Sequence, residues 1–180
     1  MKTNKLDLQR FTMREYLDTA KVCIDTPKQE NTNSCYGMSA LVLLTSVINT
    51  IGLFYWERQN KGKKGKVVEH FEAFYNKFLI GTMNDVSDFK NYFYEFARCC
   101  AVHGSNLHKK TKITFGTGAP LFIKEASDKY CINLSELYLK VEGAYDTWCQ
   151  DAYPTSNVQP LPQEELSPLT ATTENFKSHG

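Results

Sequence analysis

Between Ser34 and Trp56 the chain carries no charged residue, a run that makes about six turns of uninterrupted helix. Such a segment has two outlets, the centre of a protein core or the hydrocarbon of a membrane. Ser39, Thr45, Ser46, Asn49 and Thr50 interrupt its apolar residues. The last four recur at i, i+1, i+4 and i+5, near one side of a helix. A lipid-facing span gains nothing from that polar strip, whereas a bundle can use it to meet another helix or a partner subunit. The segment from about Gly37 to Gln59 is therefore read as the central core helix, and no membrane partner is expected. The basic run after it, Lys61, Lys63, Lys64 and Lys66, is also the orientation signal of a membrane span, so a membrane-associated helical protein stands as the third-ranked reading.

Four more helices are predicted around this one. Thr12 to Ile24 has Thr12 as N-cap, Glu15 three residues on, and Leu17, Ala20 and Ile24 at helical spacing. Val67 to Ile80 sets Val67, Phe71, Phe74 and Phe78 on one stripe, with Gly81 at its end. Asp85 or Ser87 caps a fourth helix that runs through Phe89, Tyr92, Phe93 and Phe96 to Val102, with Gly104 just beyond. Leu134 to Cys149 closes the set, capped by Asn133 or Ser135.

Before that last helix the pattern changes to strands. Lys112 to Phe115 alternates, a glycine- and proline-bearing turn follows, and Leu121–Ile123 and Tyr130–Ile132 are short apolar runs, read as a small β-hairpin or paired extended segments. The fold class is thus mainly all-α: an up-and-down bundle of about five helices with a β-hairpin insertion. Residues 1–150 form the domain. Residues 151–180, rich in Pro, Ser, Thr, Gln and Glu without periodicity, are expected to be a flexible tail.

Composition narrows the partners. Twenty-one basic and 20 acidic residues leave a net charge of +1, so any nucleic-acid site must be a local patch rather than a global field. The start, MKTNKLDLQRF, has no apolar secretory core, and none of the six cysteines forms a CxxC pair. Reduced cysteines in a cytoplasmic protein account for them best, with no cofactor and no metal.

Chemistry concentrates in YFYEFARCCAVHGSNLHKK, residues 92–110. Histidine suits proton transfer near neutral pH, and arginine is a fixed charge that grips a phosphate in two places. RNA supplies its own nucleophile, the 2′-hydroxyl, so metal-independent cleavage needs little more than a proton acceptor, a proton donor and a phosphate clamp, roles for which His103 and Arg98 are the candidates. On an ideal α-helix, residues five apart point about 140° from each other, so the two converge only near a helix end. Asn106, His108, Lys109 and Lys110 lie downstream as candidate substrate-binding residues. On spacing alone the plainer reading leads, in which Arg98 pairs with a glutamate of the bundle and His103 merely ends the helix. Three other readings rank lower. A metal site of Cys99, Cys100, His103 and His108 lacks a second ligand pair at helical or knuckle spacing. A thiol nucleophile at Cys99 or Cys100 lacks a third orienting group. FGTGAP lacks the Lys–Ser/Thr of a phosphate-binding loop.

RCCAVHG resembles the R-x4-6-H signature of the HEPN family, and ALVLLTSVINTIGLFYWE and NLSELYLKVEGAYDTW resemble its hydrophobic early helix and its final helix. The resemblance covers roughly residues 12–150 and implies a helical bundle, a homodimer whose motif helices share one cleft, and RNA as partner. It further implies a metal-independent endoribonuclease of toxin–antitoxin, phage-defence or stress systems, in some cases with a cognate antitoxin protein. Other members have lost catalysis and bind nucleic acids, nucleotides or proteins. In many active members the residue after the arginine is polar, whereas this chain has Cys99.

Overall fold

The computed structural model describes residues 4–26, 36–83, 88–99, 111–125 and 129–153. In chain order these form α1 (Lys5–Asp25), α2 (Tyr36–Gln59), α3 (Val67–Phe74) with a π-helical continuation (Tyr75–Leu79), α4 (Phe89–Cys99), β1 (Thr111–Thr114), β2 (Phe122–Lys124), β3 (Tyr130–Asn133) and α5 (Leu134–Ala152). The mainly helical class expected from periodicity is observed.

The helix α1 starts at Lys5 rather than Thr12, because the Asn4 side chain accepts a bond from the Leu6 amide and caps it there. Thr12 lies inside the helix. The caps proposed for α4 at Asp85 and Ser87, and the Gly104 stop, lie outside the described residues. Past α3, Gly81 adopts φ +83°, the left-handed conformation its position predicted.

The helix α2 is central: α1, α3 and α5 all pack on it. Leu41, Leu44, Val47, Ile48 and Ile51 are wholly buried. By length and composition it could also cross a membrane. Its polar strip divides into two kinds of contact. Thr45 and Ser46 donate to the Val42 carbonyl and Thr50 to that of Ser46, so their hydroxyls are satisfied within the helix. Asn49 reaches another helix, with its Oδ1 3.0 Å from Nδ1 of His70 on α3. One turn farther on, Gly52 faces the His70 backbone so closely that a Cβ there would sit 2.0 Å from the His70 carbonyl oxygen.

Antiparallel to α5, α1 is pinned along its length. The Tyr145 hydroxyl donates to the Arg10 carbonyl at 3.2 Å, Arg14 pairs with Glu142 at 3.7 Å, and the Lys21 ammonium lies over the Tyr138 ring. The final helix extends to Ala152, beyond the expected boundary at 150. Asp151 accepts a 2.7 Å bond from Tyr55, and Tyr153 packs edge-on against Trp148.

The insertion is a three-stranded mixed sheet of order β1-β3-β2 rather than a bare hairpin. Antiparallel pairing joins β2 to β3, and β1 lies parallel to β3 on its other edge, with Thr111 opposite Tyr130 and Thr114 opposite Asn133. Asn133 joins this sheet to α5. Its Oδ1 accepts from the Ser135 and Glu136 amides at 3.1 and 3.4 Å, and its Nδ2 donates to the Gly116 carbonyl at 2.8 Å. Replacing it by alanine removes the cap and orphans Gly116, and Asn133→Ala is expected to cost about 2 kcal/mol. The melting temperature should then fall by roughly 4–8 °C in a thermal scan. Asn133→Asp keeps the cap and should lose less.

Candidate active site

The motif arginine sits in the last described turn of α4. That helix has Phe89, Phe93 and Ala97 wholly buried along one side. Two partners hold it. The sheet packs on it through Phe122, 5.7 Å from Phe93, and through Tyr130, 3.9 Å from Tyr92, with the Tyr130 hydroxyl reaching Asp88 at 3.1 Å. On its other flank lies α3. Tyr75 meets Phe89 at 4.7 Å, Glu72 pairs with Lys90, and Phe71 meets Phe93 and Tyr94 at 6.1 and 5.1 Å. Numbers rise along α4 as they fall along α3, so the two run antiparallel.

The backbone of α4 follows the wider π-helical ladder, in which the bond joins residues five apart. Residues that diverge by about 140° on an α-helix are ladder neighbours here.

Arg98 is half-buried. Its guanidinium carbon lies 5.7 Å from the Tyr94 ring centroid, and Nη1 is 3.8 Å from the Cys99 sulfur, a long and weak contact. Among the described residues no carboxylate pairs with it, although a structural arginine in such a place would ordinarily be neutralised. The underlying Tyr94 ring is itself braced edge-on by fully buried Phe71. Burial, and Cys99 next to it, push the Tyr94 phenol above its ordinary range, so it stays neutral around pH 7.

Of the residues singled out in the sequence, Arg98 and its neighbour Cys99 are therefore placed. His103, Asn106, His108, Lys109, Lys110 and Cys100 lie outside the described residues. Tyr94 was not singled out; a tyrosine four residues before the arginine was the available signal. Among the described residues, no three His, Cys, Asp or Glu side chains converge as a metal site would require, and Cys23, Cys99, Cys131 and Cys149 are free thiols.

No protein-family model matches the chain, and no match is found among curated proteins or among solved structures.

Proposed function

We propose that the chain is a HEPN-like, metal-independent endoribonuclease, cytoplasmic and dimeric, acting in defence, toxin–antitoxin or stress response. The observation that carries this reading is the Arg98 guanidinium, half-buried on an aromatic ring with no carboxylate partner among the described residues. A half-buried guanidinium with no carboxylate partner among the described residues is suited to an anion, and the planar fork suits a phosphate. In the proposed step His103 takes the proton of the ribose 2′-hydroxyl as its oxygen attacks phosphorus. Arg98 holds the non-bridging oxygens, and the bond to the 5′-oxygen breaks as that oxygen takes up a proton from solvent water, to which His103 returns its own. The products carry a 2′,3′-cyclic phosphate and a 5′-hydroxyl.

The test is incubation of purified protein with mixed RNA in EDTA, beside Arg98→Ala and His103→Ala variants. Cleavage by the wild type and loss in both variants support the reading. Intact RNA with folded wild-type protein would leave the second reading, a non-catalytic HEPN-like module that binds nucleic acid, a nucleotide or a protein. The weak Cys99 contact, where many active relatives have a polar group, is what favours that alternative.

Tyr94 is the positioning residue for Arg98 in this account. A cation over an aromatic face is stabilised by about 0.5–2 kcal/mol, so Tyr94→Ala is expected to lower kcat/KM roughly tenfold. Tyr94→Phe keeps the ring and should stay within about threefold of wild type by the same reckoning. Equal losses in both variants would shift the role from the ring to the hydroxyl.

A further inference from the structure

The lysine-rich turn after α2 takes no part in the proposed bond cleavage, yet the fold carries it to the same end of the molecule as Arg98. The route is short. The turn leads directly into α3, whose residue Phe71 packs on Tyr94 of the antiparallel α4. Stepping four residues back from Phe71 reaches Val67, beside Lys66. Stepping four residues on from Tyr94 reaches Arg98. Both steps run toward the same end of the bundle, the one along α3 by roughly 6 Å.

The turn is built rather than loose. Lys61 and Gly62 adopt φ +54° and +78°, and the Gly62 amide donates to the Glu57 carbonyl at 2.7 Å, while Lys63 donates to that of Asn60 at 3.2 Å. Gly65 lies against the Trp56 indole, where a Cβ would come within 2.5 Å of Nε1. The backbone is thus seated on the core while the side chains of Lys61, Lys63, Lys64 and Lys66 stand exposed. None of the four has an ion-pair partner among the described residues. The Glu69 carboxylate nearby is engaged by the Lys66 amide. Four positive charges within six residues, on a chain whose net charge is only +1, form the local patch that a nucleic-acid site needs.

We infer that the Lys61–Lys66 turn is a docking surface for the phosphate backbone of single-stranded RNA that flanks the bond cleaved at Arg98. The inference rests on the ribonuclease reading for the position of the scissile bond, but the binding itself can be measured without cleavage. Phosphate contacts of this kind fix the register of the strand without reading its sequence. They also make binding salt-dependent, by about 0.7 in log–log slope per single-strand contact.

The experiment uses the full chain and a triple variant, K63Q/K64Q/K66Q, which spares the left-handed backbone of Lys61. A fluorescent 2′-O-methyl RNA oligonucleotide, which cannot be cleaved by its own 2′-oxygen, reports binding across a salt series. Cleavage of unmodified RNA is followed in parallel, and a melting curve checks the fold. The expected result is an affinity loss of roughly tenfold to a hundredfold at moderate salt, with the slope reduced by about 2. Loss of oligonucleotide binding in a variant of a protein that cleaves nothing would support the docking surface and overturn the ribonuclease reading. Cleavage with unchanged KM and unchanged salt slope in the variant would overturn the docking surface and leave the ribonuclease standing. Wild-type protein that ignores RNA but binds phosphatidylserine vesicles through these lysines would overturn it in favour of a membrane contact.

Discussion

Arg98→Ala is expected to lower RNA cleavage by about two to three orders of magnitude while leaving the protein folded. The size follows from what the guanidinium does in the proposed step. Removing one donor aimed at the charge that develops in a transition state costs about 10²–10³ in rate. The effect on stability should be far smaller. Arg98 makes no ion pair among the described residues, and its contact with Tyr94 is worth about 0.5–2 kcal/mol. That contrast separates a working arginine from a structural one. If Arg98 were a bundle salt-bridge residue, the variant would melt early and lose activity only in proportion to the unfolded fraction. Arg98→Lys keeps the charge but not the fork, so it should recover part of the binding and little of the rate.

The second large effect concerns the fold. Gly52→Ala is expected to destabilise the protein by about 3 kcal/mol or more, although alanine is the better helix former by about 1 kcal/mol. Packing decides the sign. The added methyl would come within 2.0 Å of the His70 carbonyl oxygen and 2.7 Å of its carbon. Those atoms are backbone and cannot swing aside as a flexible side chain would. The two helices must separate, which also strains the Asn49–His70 bond one turn away and the Phe71 contact that braces Tyr94. A fall of roughly 10 °C in melting temperature is expected for a chain of this size. An unchanged melting temperature would mean that α2 and α3 do not cross at this glycine.

What could be read from the sequence was whatever is local. The apolar run gave α2, and its polar strip foretold a partner helix, which Asn49 finds in His70. Asn133 was one of two caps proposed for α5, and it fills that role. The start of α1 was placed too late because Thr12 and Glu15 form a credible capping box, and nothing in the local pattern says that Asn4 caps first. The sheet was legible as three extended segments but not as β1 pairing alongside β3, since that parallel contact joins residues far apart in sequence.

The site divides the same way. Arg98 was visible as a residue type in a motif, whereas its support was not. The aromatic contacts on α4 come from α3 and the sheet, and the close approach at Gly52 depends on the backbone of another helix. A glycine inside a helix reads locally as a weakness. Only the neighbouring helix shows that nothing larger fits.

The most direct test of the central claim is the chemistry of the ends. Wild-type protein in EDTA should cut RNA to give 2′,3′-cyclic phosphate and 5′-hydroxyl termini, and Arg98→Ala and His103→Ala should give neither. Cleavage that leaves 5′-phosphate and 3′-hydroxyl ends, or that stops when metal is removed, would contradict the account.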